Sequence, residues 1–149
     1  IPRSVSKTFA KNLLDGISAD LKAKYGRWVV RYPWDRNYSE TRNPAIPSAI
    51  LETLSHQNFP DMAYAKDPNF KFTLARSIYK AILKYTAAQH GTRYTVQPLA
   101  PRSLRTAIDR QGKITLTWEA QTDPRESTAM PSAYVVYTRS GGGGFARWS

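Results

Sequence analysis

The sequence predicts a chain in two parts, an α/β region followed by an all-β region. Apolar residues recur at helical spacing in the first part, most clearly over 4–24 and 67–88. Beyond Gly91 the spacing changes to the alternation that is typical of strands. A proline-punctuated stretch separates the two patterns, and we interpret it as a linker. The expected division is an α/β domain over 1–90, a linker over 91–101 and a β module over 102–149.

The first region begins with an amphipathic helix over 4–24. Its apolar residues recur about one turn apart: Phe9, Leu13, Ile17 and Leu21. Ser4 or Ser6 is the expected N-cap, and Gly26 follows the expected end. Residues 27–32 are rich in β-branched and aromatic side chains, which predicts a strand.

A second predicted strand ends on a carboxylate. Ala49, Ile50 and Leu51 form a short apolar run, and Glu52 follows directly. In open α/β sheets the ligand crevice lies at the carboxyl ends of strands, so Glu52 is a candidate general acid or base. The alternative is that Glu52 caps the next helix or forms a surface ion pair. This stretch alone leaves both interpretations open.

A second helix is predicted after the polar segment that follows Glu52. Asp67 and Pro68 are suited to the N-cap and N1 positions of a helix that runs to about residue 88. Its expected buried face consists of Phe72, Ala75, Ile78 or Tyr79, and Ile82.

The β module shows strand patterns over 104–108, 114–118 and 133–137. A turn at Gln111-Gly112 separates the first two. We interpret the four glycines at 141–144 as a hairpin tip or a linker. A sandwich needs roughly seven strands, so three predict only part of one.

Composition limits the chemistry that the chain can carry. It has no cysteine, which excludes disulfides, cysteine zinc sites and thiol nucleophiles. Its two histidines, His56 and His90, form no metal-binding motif, and no metal ligand is predicted. No apolar run approaches the roughly 20 residues of a membrane span, and the start of the chain lacks a signal-peptide pattern.

Net charge points to a polyanionic partner. The formal charge is +11, with a pI near 10.1. Residues 1–90 hold 14 basic and 7 acidic groups (+7), and residues 91–149 hold 8 and 4 (+4). No basic cluster of the nucleic-acid type interrupts this even spread, so we expect no nucleic-acid partner, and a merely solvated basic surface is the alternative.

Residues 47–85 resemble the C-terminal end of a known catalytic domain. The matching positions are Pro47, Ile50, Glu52, Thr53, Asn58, Asp61, Asp67-Pro68-Asn69-Phe70, Leu74-Ala75, Ile78-Tyr79 and Ile82. Together they resemble the zinc-dependent N-acetylmuramoyl-L-alanine amidases, enzymes that trim bacterial peptidoglycan. The resemblance implies a three-layer α/β domain that is incomplete at its N-terminus.

The resemblance also implies roles for individual residues. Glu52 would be the catalytic carboxylate, which activates a zinc-bound water and passes its proton to the leaving amine. Glu40, Arg42, His56 and Asn58 are substrate-binding candidates, with Arg42 meeting a stem-peptide carboxylate. Zinc is expected in the full-length enzyme, but the family's zinc ligands belong to a region before this chain. Where the family has Gly-Phe-Leu-Ser, this chain has the more polar Leu54-Ser55-His56-Gln57.

The β module resembles the first strands of a fibronectin type III domain. Pro98 to Leu104, Ile114 to Trp118 and Tyr134 to Tyr137 carry this resemblance, with Trp118 as the core tryptophan. The implied fold is a partial fibronectin type III-like sandwich. Secreted Bacteroidetes proteins that join such modules to an amidase-like domain are sometimes labelled xanthan lyases.

The leading hypothesis is an exported peptidoglycan amidase-like hydrolase, inactive as this fragment. Its partner would be peptidoglycan or another anionic cell-wall glycan, at the cell surface, in the periplasm or outside the cell. One alternative is a non-catalytic cell-surface glycan-binding or adhesion protein. Another is a secreted polysaccharide-degrading enzyme of the kind labelled xanthan lyase, although no residue pattern here supports polysaccharide elimination.

Overall fold

The computed structural model describes residues 1–42 and 45–148, which combine helices with two small antiparallel sheets. The chain divides into two compact units, residues 1–94 and residues 95–149. The point of division falls inside the stretch that the sequence marks as a linker. The first unit contains the helices, and the second contains the sheets.

Helix α1 spans Arg3–Tyr25 and buries one stripe of side chains, Leu13, Ile17 and Leu21. The predicted N-caps are wrong, because the helix starts at Arg3 and Ser4 already lies inside its first turn. Pro2 precedes the helix without a side-chain cap bond. The predicted end is confirmed: Gly26 has φ of 77°, which glycine tolerates, and its N–H donates to the Lys22 carbonyl at 2.8 Å.

Helices α2 (Phe59–Lys66) and α3 (Pro68–His90) follow almost without a break. The N-terminus of α3 is confirmed, since the Asp67 side chain accepts a hydrogen bond from the Asn69 N–H at 2.9 Å. The sequence did not predict α2, because its mixed composition obscures any helical period. Asn58 caps it.

The core of the first unit lies between α1 and α3. Its buried cluster consists of Leu13, Ile17, Leu21, Phe70 and Ala81. The two helices approach closely at Gly16, where an added Cβ would lie 3.1 Å from the Cβ of Ala81. An aromatic group made of Tyr25, Trp28, Tyr64 and Phe70 extends this core, with ring centroids 5.2 to 6.0 Å apart.

The expected buried face of α3 is largely wrong. Phe72 is 59% exposed, and Tyr79 and Ile82 are exposed too. Only Ile78 of that set packs against the core. The face that α3 buries carries Phe70, Ser77, Lys80, Ala81 and Tyr85. Two of these residues, Ser77 and Lys80, are polar, so the spacing of apolar residues could not identify the buried face.

Lys80 is buried because it forms an ion pair across the helices. Its Nζ lies 2.7 Å from Oδ2 of Asp20 on α1. The Ser77 hydroxyl lies 3.0 Å from the same oxygen. Buried charges need such partners, and this one fixes how α1 and α3 face each other.

The strands predicted over 27–32 and Ala49–Leu51 are not formed. Neither segment has secondary structure in the described chain, and Val29 is 77% exposed. A strand needs a neighbour to satisfy its backbone groups, and no segment of the described first unit pairs with either. Consequently, Glu52 does not stand at the end of a sheet strand.

The second unit contains a clear hairpin. Strands β1 (Arg102–Ile108) and β2 (Ile114–Glu119) pair antiparallel, with Ile108 opposite Ile114. This confirms the first two predicted strands. In the turn, the Asp109 carboxylate accepts from the N–H groups of Gln111 and Lys113, both at 2.9 Å.

The third predicted strand, 133–137, is mostly wrong. Strand β3 covers only Tyr137–Thr138 and pairs with β4, Ala146–Arg147. The four glycines lie in the connection between them, as a hairpin tip would. Trp118 packs edge-on against Tyr134, with centroids 5.2 Å apart. Tyr134 therefore packs its side chain without joining a strand.

Candidate functional site

Glu52 lies on a segment without secondary structure that packs against the core on both sides of it. Ala49 and Leu54 are partly buried and pack against the α1–α3 core. Just before them, the Ser48 N–H donates to the Ser6 hydroxyl of α1 at 3.3 Å. Glu52 lies between these anchors and is exposed. Although no strand carries it, the carboxylate is therefore presented at a defined place on the surface.

Among the described residues, Glu52 neither caps the next helix nor forms a surface ion pair. Asn58, and not Glu52, caps the following helix. Within the described part of the chain, Glu52 forms no ion pair or hydrogen bond. Its carboxylate is accordingly open to solvent and to an incoming ligand.

The polar residues after Glu52 are held by helix capping. The Asn58 side-chain oxygen accepts from the Asp61 N–H at 3.4 Å. The Asp61 carboxylate in turn accepts from the Ser55 N–H at 2.8 Å. These two bonds order the turn that contains His56. Asn58, predicted to bind substrate, thus has a structural task that its sequence context (Asn-Phe-Pro-Asp) already signals.

His56 is exposed on this ordered turn. The turn is closed by the Asn58 N–H, which donates to the Ser55 carbonyl at 3.2 Å. Over the described residues, the imidazole makes no hydrogen bond or ion pair. It is therefore available to solvent a few positions beyond Glu52.

Glu40 and Arg42 lie on a separate 3₁₀ turn, Ser39–Thr41 and its end. A hydrogen bond from the backbone of Glu40 itself, helped by the Ser39 hydroxyl at 2.9 Å, lowers the pKa of the Glu40 carboxyl. Arg42 donates from Nε to the Asn37 side-chain oxygen at 2.9 Å. Within the described chain, no hydrogen bond or ion pair joins this turn to Glu52, His56 or Asn58.

The resemblance implies zinc ligands outside this chain, and the described residues offer no metal site of their own. Across 1–42 and 45–148, no group of three or more His, Asp or Glu side chains could hold a metal ion. A catalytic zinc usually has three protein ligands. No helix among the same residues is long and apolar enough to cross a membrane.

The sequence places Trp34, Asp35 and Arg36 on the irregular loop 33–47 as pocket candidates, but it does not predict the contacts that they make. Two arginines flank Trp34: the guanidinium carbon of Arg36 lies 4.5 Å from its ring centroid, and that of Arg31 lies 5.9 Å away. Asp35 forms an ion pair with Arg3 of α1. Arginine and aromatic residues alternate over 27–38, a pattern that also fits the predicted strand and loop.

Comparison of the chain with protein-family models, with curated proteins and with solved structures finds no match. The amidase and fibronectin type III resemblances therefore stay predictions that depend on the quoted residues.

Proposed function

We propose that this chain belongs to a peptidoglycan amidase-like hydrolase in which Glu52 transfers the proton. The observation that carries the proposal is the open carboxylate of Glu52 on a segment whose two sides are packed into the core. A proton-transfer group must be reachable by substrate and held in place, and this segment meets both needs. The finer fold that we propose is a three-layer amidase-like domain followed by a partial fibronectin type III-like sandwich.

The reaction is hydrolysis of the amide between muramic acid and L-alanine. Water adds to the amide carbonyl, the C–N bond breaks, and the lactyl carboxylate and the free amine of alanine are the products. Glu52 would accept the proton from water and deliver it to the leaving nitrogen, so it ends as it began. The described residues hold no group that fits zinc, so Glu52 is the proton-transfer group that this chain would contribute.

The remaining candidates would act on the substrate side of the reaction. Arg42 presents a guanidinium that suits a stem-peptide carboxylate, and His56 presents an exposed imidazole near Glu52 in sequence. The net charge of +11 suits an anionic wall polymer. Such a substrate places the protein outside the cytoplasm, in the periplasm, at the cell surface or beyond it.

The test is made on the protein that contains this chain in its native form. Purified muropeptides are incubated with it, and new alanine amino termini are quantified. We expect Glu52→Gln to lower the rate by about 100-fold or more, as loss of a general acid–base group does. Glu119→Gln, which removes an exposed carboxylate from β2, should leave the rate unchanged. Equal rates for Glu52→Gln and the parent would refute the proposal.

A second candidate is a non-catalytic glycan-binding or adhesion protein. It is favoured by the exposed Trp34 and the two arginines in contact with its ring, since guanidinium groups bind acidic groups and an aromatic ring offers apolar contact area. Zinc content separates the two functions. A native protein without zinc that still binds glycan after Glu52→Ala would support the binding protein and exclude the amidase.

A further inference from the structure

The segment 31–36 forms a small basic surface around Trp34, which we call the arginine–tryptophan cluster and define as Arg31, Trp34 and Arg36. Trp34 is 60% exposed. Both guanidinium groups lie within cation–π distance of its ring, at 5.9 Å for Arg31 and 4.5 Å for Arg36. The ring limits the positions that these flexible side chains sample, which prepares them for a ligand.

The acidic residue inside this segment is already neutralised. Asp35 accepts hydrogen bonds from Arg3, one of them from Nε at 2.7 Å. This contact also ties the segment to the start of α1. Among the described residues, neither Arg31 nor Arg36 has a carboxylate partner. The cluster therefore presents two exposed positive charges that no side chain of the described protein compensates.

Two neighbouring guanidinium groups can bind anionic groups in a defined geometry. A guanidinium fork binds a carboxylate through two parallel hydrogen bonds, which an ammonium group cannot do. A polymer with repeated carboxylates can engage both arginines at once. Tyr32, which is 91% exposed, adds an aromatic face beside them in sequence that can contact a sugar ring.

Single-stranded nucleic acid is the other polyanion to consider. Its bases bind by stacking on open aromatic faces. The Trp34 ring is approached by two guanidinium groups, which leaves Tyr32 as the one open ring of segment 31–36, whereas successive bases stack on several rings. The geometry points to a carboxylated partner, and we propose that the arginine–tryptophan cluster is a binding site for acidic polysaccharide. The site does not include Glu52, and it stands or falls separately from the proposed hydrolysis.

The experiment measures binding of the full chain to three polymers by isothermal titration calorimetry. The probes are polygalacturonate, neutral dextran and poly(dT). We expect polygalacturonate to bind, and its affinity to fall as salt rises from about 50 to about 200 mM. Arg31→Ala/Arg36→Ala should weaken this binding by roughly tenfold, because two charge-assisted contacts are lost.

Two further variants make the result specific. Arg31→Lys/Arg36→Lys keeps the charge but loses the fork, and it should weaken binding by roughly threefold or more. Arg105→Ala/Arg110→Ala removes two exposed arginines from the other unit, and binding should change less than about twofold. Because all four arginines are exposed, folding should be unaffected, which circular dichroism checks.

Several outcomes would overturn the site. These are absence of polygalacturonate binding, equal binding of dextran, or an equal loss in Arg105→Ala/Arg110→Ala. Tighter binding of poly(dT) that is lost in Arg31→Ala/Arg36→Ala would assign the cluster to nucleic acid instead.

Discussion

Asn58 and Asp61 are bonded to backbone groups at the start of α2, and those bonds hold the turn that carries His56. Their chemistry is the same whether they cap a helix or meet a substrate, since both uses need a hydrogen-bond acceptor. Only the partner atoms distinguish the two uses. In this structure the partners of both side chains are backbone N–H groups.

Substitution of Asn58 separates capping from substrate binding. We expect Asn58→Ala to lower the free energy of unfolding by about 1 kcal/mol, the usual effect of losing an N-cap. Asn58→Asp should keep the cap and change stability by a few tenths of that. Urea unfolding measures both. Equal losses in the two variants would contradict the capping role.

Breaking the buried ion pair should destabilise the first unit more than breaking an exposed one. Asp20→Ala would leave the Lys80 ammonium group, whose side chain is 7% exposed, without its partner. We expect this to cost about 3–5 kcal/mol, because an unpaired buried charge is strongly destabilising. Asp20→Leu/Lys80→Met should recover most of the loss, since it removes both charges.

The control for Asp20→Ala is an ion pair whose side chains are exposed. Lys11 and Asp15 form an i,i+4 contact on the outer face of α1, with both side chains at least 60% exposed. Asp15→Ala should change stability by less than about 0.5 kcal/mol. If thermal unfolding gives Asp20→Ala and Asp15→Ala the same small effect, then the pair is not buried in solution.

At the scale of elements, the sequence correctly predicted the helices and the hairpin whose formation depends on residues close together in the chain. The extents of α1 and α3 follow from periodicity, from Gly26 and from the Asp67-Pro68 start, all of which act within a turn or two. The β1–β2 hairpin follows from alternation and a local turn. Segment 27–32 has strand composition but no strand, because pairing depends on a distant segment that composition cannot reveal.

The same distinction explains the candidate site. The sequence alone shows that Glu52 and His56 have side chains suited to proton transfer or substrate binding. Their surroundings could not be predicted, because the anchors of the Glu52 segment are contacts with α1 and the core. The prediction of the buried face of α3 was wrong for a related reason. The Lys80–Asp20 pair places a charge on a face where only apolar residues were expected.

Two phenylalanines on α3 test which face is buried. Phe70 is 1% exposed and contacts Tyr25, Trp28 and Tyr64, whereas Phe72 is 59% exposed. We expect Phe70→Ala to cost about 3–5 kcal/mol, from lost burial and the cavity left behind. Phe72→Ala removes the same atoms and should cost less than about 1 kcal/mol. Chemical denaturation of both variants measures the difference, and reversed values would restore the predicted face.

At the scale of the whole molecule, the two units differ in how they are stabilised. The first has a buried apolar cluster between long helices. In the second, every residue of β1 is exposed, and Val96 and Ala129 are fully buried outside the strands. The basic charge is carried by both units, so it acts on solubility and on partners more than on the fold.

Hydrogen exchange should reveal this difference. Amides near Ile17 and Ala81 should be protected strongly, because exposing them requires separation of α1 from α3. Amides of β1 and β2 should exchange much faster, since a two-stranded sheet with little buried surface is marginally stable in water. Mass spectrometry of deuterium uptake, referenced to the urea-unfolded chain, measures both. Protection of the hairpin equal to that of α3 would mean that the exposed face of β1 is covered in solution, as the face of a strand in a complete sandwich would be.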